Sequence, residues 1–154
     1  MKKLISFIKE FTKKDVPELS GVERIGRQYF LMNKELKQAR DELGKMTPFS
    51  AGLSFGSLEG NKFKPGFPLL DLIARYTDRI AVADSKGEIM FLYHNSITAD
   101  NLLTQKQEPE SGLLLVENER GEVLGYGEAK KDRQGKKIIK NILDRSDFLK
   151  REKR

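Results

Sequence analysis

The sequence predicts an α+β protein in two parts: a mixed α/β half over residues 1–77, then a small strand-rich half over residues 78–154. Three observations carry this. Up to Tyr76, apolar residues at helical spacing alternate with runs of β-formers. From Asp78 onward, short β-forming runs are separated by turn residues. Inside one of these runs Gly125 and Gly127 flank Tyr126, and tight glycines in a strand mark a close backbone approach or a bend in a small barrel. A chain of 154 residues, 38% hydrophobic with its apolar residues spread along its length, is long enough to bury a real core.

Leu4, Ile5, Ile8 and Phe11 follow helical spacing and predict an amphipathic first helix. The Met1-Lys2-Lys3 start resembles a signal peptide, but Lys9 and Glu10 interrupt the apolar run and no small-residue cleavage site follows. No apolar run approaches a membrane span, so a soluble cytoplasmic protein is expected. Val16-Pro17 and Gly21 mark a loop. Arg24 to Met32, with Ile25, Tyr29, Phe30 and Leu31, predicts a strand. Asn33 is placed to cap a helix carrying Leu36, Ala39, Arg40 and Leu43, which Gly44 closes before a break at Thr47-Pro48. Phe49 to Leu58, ahead of Glu59-Gly60-Asn61, predicts a hairpin. Pro68 then opens a short apolar helix through Leu69, Leu70, Leu72, Ile73 and Tyr76.

In the second half Arg79 to Ala83 predicts a strand, Ser85-Lys86-Gly87 a turn, and Ile89 to Tyr93 another strand. A brief helix is expected around Thr98 to Leu103. Leu113 to Val116 pairs through Glu119-Arg120-Gly121 with Val123 to Ala129. From Lys137 the pattern is two-valued: Ile138, Ile139, Ile142 and Leu143 fit a helical face, while their β-branched content favours a strand. Ser146 is placed to cap a last helical turn at Phe148 to Arg151.

Charge is distributed unevenly. Lys130 to Arg154 holds 11 basic and four acidic residues, a net +7, which leaves 18 basic and 19 acidic residues and a net −1 in the first 129. A basic end on a nearly neutral body attracts polyanions by phosphate contact and counterion release. The competing reading is a solvated tail that aids solubility.

Enzymatic signatures fare poorly. The absence of cysteine excludes disulfides, thiolate zinc sites and a cysteine nucleophile. Gly52-Leu53-Ser54-Phe55-Gly56 matches the G-x-S-x-G nucleophile elbow, with the lone His94 downstream and Asp71, Asp78 or Asp84 between them. That elbow needs a strand before it and a long helix after it, whereas Gly60 and Pro65 follow within a few residues. No H-E-x-x-H metal motif is present, and Gly125-Tyr126-Gly127 lacks the third glycine of a dinucleotide loop. Neither metal nor cofactor is expected. What remains is the basic segment, together with Tyr93, His94 and Asn95 at a strand end: cations for phosphate, and rings and an amide for bases and 2′-hydroxyls. A membrane-binding helix would use the same charges, but Asp144 and Asp147 interrupt the field.

Phe91-Leu92-Tyr93-His94-Asn95-Ser96-Ile97, Ser111 to Val116 and Val123 to Ala129, in this order and spacing, make the second half resemble a PUA domain, a small RNA-binding β-barrel. Gly52 to Gly56, Lys62-Phe63 and the Leu69 to Tyr76 helix resemble the pre-PUA domain of the Nip-seven family of large-subunit ribosome biogenesis factors. The resemblance spans nearly the whole chain and is strongest from about Ala51 to Ala129. It implies a non-enzymatic RNA-binding factor in pre-rRNA processing, with ribosome-assembly or RNA-processing proteins as partners. A second reading, from another class, is an adaptor that docks an RNA-processing or RNA-modifying enzyme through its N-terminal domain. The resemblance further implies that Lys137 to Asp144 is the closing barrel strand. Lys136, Lys137, Lys140, Arg145, Lys150 and Arg151 would then grip phosphate, and His94 and Asn95 touch base or ribose. Two departures stand out. His94 occupies a place the family gives to glycine, implying a rebuilt turn or an added ring, and the region before Arg24 is shorter than in eukaryotic members, implying an archaeal-like version. A monomer is expected.

Overall fold

The computed structural model describes residues 1–43, 52–103 and 110–146; the predicted breaks at Gly44 and Thr47-Pro48 and the predicted last turn at Phe148 to Arg151 lie outside the described residues. Helix α1 (Lys2–Lys9) buries Leu4 and Ile8, and the chain continues inward to a buried Phe11, as the spacing predicts. A 3-10 turn at Pro17–Gly21 follows. The single strand predicted over Arg24 to Met32 is instead a hairpin, in which β1 (Val22–Ile25) pairs antiparallel with β2 (Gln28–Leu31). Gly26, at φ 61°, supplies the left-handed turn that separates Ile25 from the Tyr29-Phe30-Leu31 run.

Helix α2 (Lys34–Leu43) starts at Asn33, whose carbonyl accepts from Lys37 N at 3.1 Å; Ala39, expected on an apolar face, is exposed. Strands β3 (Leu53–Glu59) and β4 (Lys62–Pro65) form the predicted hairpin and complete a sheet in the order β1-β2-β3-β4. Helix α3 (Phe67–Ile73) has proline in its first turn and buries Phe67, Leu69, Leu70, Leu72 and Ile73.

The second sheet has the order β6-β10-β9-β8-β5-β7, built from β5 (Ile80–Ala83), β6 (Ile97–Thr98), β7 (Leu102–Leu103), β8 (Gly112–Glu117), β9 (Val123–Lys131) and β10 (Lys137–Asp144). Its two edge strands, β6 and β7, are joined only by a 3-10 turn at Ala99–Asn101, so the sheet curls until its edges nearly meet. That is a nearly closed barrel. The brief helix predicted at Thr98 to Leu103 is present only as the 3-10 turn Ala99–Asn101, with Thr98 at its N-cap position and its flanks drawn into β6 and β7. The predicted turn and strand at Ser85 to Tyr93 are replaced by helix α4 (Ser85–Leu92). Asp84 is the reason: its carboxylate accepts from Gly87 N at 2.7 Å, a helix cap where a free-standing turn is expected.

Helix α4 drives Phe91 into the barrel, where it packs with Ala81, Ile97, Leu114, Val116 and Ile139. Leu115, on the opposite face of β8, belongs to a second cluster with Val123, Tyr126, Leu4, Phe11 and Leu70. Strand alternation thus turns one face of β8 and β9 inward and the other onto the N-terminal half. Phe7 and Phe11 meet Tyr126 with ring centroids 5.5 and 5.9 Å apart, both edge-on.

Both glycines that flag a close approach do make one. A Cβ on Gly125, whose φ is 153°, would lie 1.9 Å from the Leu143 carbonyl oxygen, and one on Gly127 would lie 2.4 Å from that of Lys140. These close approaches let β10 ride against β9 through a register shift between Asn141 and Leu143.

Candidate nucleic-acid interface

The β9–β10 hairpin organises the basic segment. Its tip is built by Asp132, whose Oδ1 accepts from Gln134 N and Lys136 N, each at 2.9 Å, with Gly135 at φ 78°. Asp132 N donates to Lys136 O at 2.8 Å and closes the turn. Directly below the tip, Lys131 faces Lys137 across the ladder, and Lys140 faces Glu128, which Lys130 approaches at 3.7 Å. Cations brought together on one hairpin concentrate positive potential, which attracts a polyanion. Lys130, Lys131, Arg133, Lys136 and Lys140 are exposed.

At the other end of β10 lies a polar network. Tyr93 ends α4, and His94 follows in the left-handed region at φ 66°. His94 N donates to Phe91 O and Asn95 N to Met90 O, both at 3.0 Å, which completes a Schellman cap with histidine in the position glycine usually fills. The tight turn is kept and a ring is added. His94 Nδ1 lies 2.6 Å from Asp144 Oδ2, and Nε2 lies 3.2 Å from Ser146 Oγ. Asp144 is 2% exposed and also accepts from Ser146 N at 2.8 Å and Asn141 Nδ2 at 3.0 Å.

Burial alone would raise the Asp144 pKa, but hydrogen bonds from Ser146, Asn141 and His94 outweigh it and hold the carboxyl below its usual range. An ionised Asp144 is acceptor-only, so His94 Nδ1 carries the proton it donates. The chain of hydrogen bonds from Ser146 through His94 to Asp144 has the order of a hydrolase triad. Ser146, however, is only 7% exposed, which suits a buried anchor for the imidazole better than a nucleophile.

The network fixes His94 while leaving half its side chain in solvent, beside Tyr93 at 74% exposure and an exposed Asn95. These residues sit at a helix end, not at the strand end expected from sequence. Nor do all the predicted RNA-binding residues converge. Lys136 and Lys137 lie at the hairpin tip, and the eight residues from Lys137 to Asp144 carry the chain about 20 Å away toward His94. Lys140 lies between.

Arg145 is engaged within the protein. Its Nε donates to Val123 O at 2.5 Å, its Nη2 to Asp71 Oδ1 at 2.8 Å, and the guanidinium carbon sits 4.6 Å from the Phe67 ring centroid. It clamps the end of β10 to α3. Lys150 and Arg151 lie outside the described residues.

Lys130, Lys131 and Arg133 join the hairpin surface, although the family resemblance does not single them out. The sequence does carry a signal for them in Asp132 and Gly135, turn residues that place lysines on both arms. The G-x-S-x-G elbow does not form: Ser54 is the second residue of β3, paired opposite Phe30. Among the described residues no cluster of three or more His, Asp or Glu is placed to hold a metal ion, and no helix is long and apolar enough to cross a membrane.

Residues 79–153 match the sequence model of a family described as UPF0113 PUA domain. Over 118 residues the chain is 24% identical to a UPF0113 protein of Archaeoglobus fulgidus, covering 72% of this chain and 67% of that one. A solved structure of a conserved PUA domain protein from Thermoplasma acidophilum aligns at 16% identity and a TM-score of 0.46, covering 77% of this chain and 94% of that one. The strand-rich half carries the PUA fold, and the chain as a whole is α+β with a mixed α/β N-terminal part.

Proposed function

We propose that this protein is a non-enzymatic RNA-binding factor that grips RNA through the β9–β10 hairpin and the His94 corner of its PUA barrel. The observation that carries this is the Lys131–Lys137 pair, two like charges held opposite each other on a rigid ladder that Lys130, Arg133, Lys136 and Lys140 extend. Such an arrangement suits a phosphate backbone. Tyr93 and His94, exposed at the far end of β10, suit stacking on an unpaired base, with Asn95 as a hydrogen-bonding neighbour. PUA domains are generally an RNA-binding fold, which supports the same reading.

The resemblance of both halves to the Nip-seven family supports a role in large-subunit ribosome assembly or pre-rRNA processing, in the cytoplasm, with ribosome-assembly proteins as partners. Arg145 is left out of the phosphate-binding set because its guanidinium bonds to Val123 and Asp71.

The test is filter binding of single-stranded RNA over a salt range, comparing the wild type with Lys136→Glu/Lys137→Glu, Lys140→Glu and Tyr93→Ala. Removing one lysine–phosphate interaction should flatten the logarithmic salt slope by about 0.7. Tyr93→Ala should weaken binding by about 1–3 kcal/mol without changing that slope. Affinity and slope unchanged by the hairpin reversals would refute the site.

A further inference from the structure

The N-terminal half has a surface that the RNA reading does not use. A groove of about 590 Å³ opens between α1 and the chain that follows it, a size in the range of built binding sites. Ile8 and Val16 form its buried floor, Ile5 and Leu19 its half-buried walls, and Lys9, Lys13 and Lys14 its exposed basic rim. Asp15 is the one acid in the lining.

The rim is preformed. Thr12 Oγ1 donates to Tyr76 O at 2.7 Å and accepts from Lys14 N at 3.1 Å, while Thr77 Oγ1 donates to Phe11 O at 2.6 Å. These bonds fix the lysine-bearing turn against the rest of the fold. Lys14 approaches Asp78 only at 3.9 Å with both side chains exposed, and among the described residues no ion pair holds Lys9 or Lys13. Five lysines against one glutamate in the first 14 residues make this a second positive region, balanced in the overall count by acids elsewhere.

We propose that this groove seats an acidic, aliphatic peptide segment of a partner protein. Leucine or isoleucine side chains of the segment enter between Ile5 and Leu19, and its carboxylates meet Lys9, Lys13 and Lys14. The lining argues against a nucleic acid. It contains no aromatic ring and no arginine, so it lacks the stacking surfaces that single-stranded RNA uses, while its aliphatic floor has no use for a phosphate chain. An amphipathic peptide matches both the floor and the rim. The surface shares no residue with the hairpin, so the two sites succeed or fail separately.

Fluorescence anisotropy on the full-length chain tests this with a labelled peptide carrying leucines at i, i+3, i+4 and i+7 and glutamates elsewhere. The control peptide replaces every leucine with serine, and an oligouridine serves as competitor. Saturable binding is expected, weakened at least tenfold by Lys9→Glu/Lys13→Glu and by the serine peptide, and unchanged by Lys136→Glu/Lys137→Glu. Lys9 and Lys13 are exposed, and circular dichroism checks that their reversal leaves the fold intact. Amide shifts on titration should centre on Ile5, Lys13 and Leu19. The proposal is overturned if no saturable binding occurs, if the serine peptide binds as tightly, or if oligouridine displaces the peptide and itself loses affinity through Lys9→Glu/Lys13→Glu.

Discussion

Replacing Asp144 with asparagine removes one charge from the network behind His94 while preserving its shape. The carboxylate accepts from Ser146 N through Oδ1 and from both Asn141 Nδ2 and His94 Nδ1 through Oδ2. An amide satisfies one side only. If its oxygen stays toward Ser146, its NH₂ faces two donors; turned round, it faces the Ser146 N–H. Hydrogen bonds to a charged group contribute about 1.5–3 kcal/mol each, and a buried donor left unpaired costs about 1–3 kcal/mol. Since these contributions overlap, a loss of about 2–4 kcal/mol at neutral pH is expected, or roughly 5–15 °C in Tm for a domain of this size.

The pH dependence supplies the sharper test. Asp144 has a lowered pKa in the fold because hydrogen bonds outweigh the opposing effect of burial. Its stabilisation is therefore present above the ordinary carboxylate value of 3.8 and is lost as pH falls through the lower folded value. Urea titrations followed by circular dichroism from neutral pH into the acid limb should show the gap between wild type and Asp144→Asn holding down to about pH 4 and closing below it. A variant within about 0.5 kcal/mol of wild type at neutral pH, or a gap that persists unchanged at the acid end, would contradict this account of the network.

Gly125→Ala should cost at least about 3 kcal/mol by urea titration, because its Cβ would meet the Leu143 carbonyl at 1.9 Å from a backbone at φ 153°. Gly121→Ala, with nothing within 4 Å at φ 79°, should cost only about 1 kcal/mol. His94→Gly should lie within about 1 kcal/mol of wild type, as relief of the left-handed backbone offsets removal of the ring's hydrogen bonds. His94→Ala has no such relief and should be about 1 kcal/mol less stable than His94→Gly by the same titration. Arg145→Met should cost about 1–2 kcal/mol, mainly through removal of the bond to Val123 O. A double-mutant cycle with Asp71 should return under about 1 kcal/mol, since that pair is partly exposed.

Where one local rule operates alone, the sequence is enough. The helices holding Leu4 and Leu69, and the hairpin at Gly60, follow from spacing and turn chemistry. The identity of β10 requires the family resemblance, because Ile138, Ile139, Ile142 and Leu143 satisfy two periods at once and only pairing with β9 selects the extended form. Local reading fails at α4. Ser85-Lys86-Gly87 looks like a turn until Asp84 is recognised as its cap, and the aromatic run behind it has β propensity that tertiary packing of Phe91 overrides. In the candidate site, the lysines are visible in the sequence as charge, but their opposition across a ladder is not. Asp144 looks there like a blemish in a positive field, since nothing local shows that it folds back onto a histidine 50 residues earlier.

The aromatic cluster of Phe7, Phe11 and Tyr126 carries a consequence for how the chain is made. The segment carrying α1 leaves the ribosome before β9, yet the rings of Phe7 and Phe11 meet their edge-on partner Tyr126 only after more than a hundred further residues are made. Until then Phe7 and Phe11 lack the wall that Tyr126 provides. The first helix therefore completes its packing only against a formed β9, so that α1 and the barrel finish folding together.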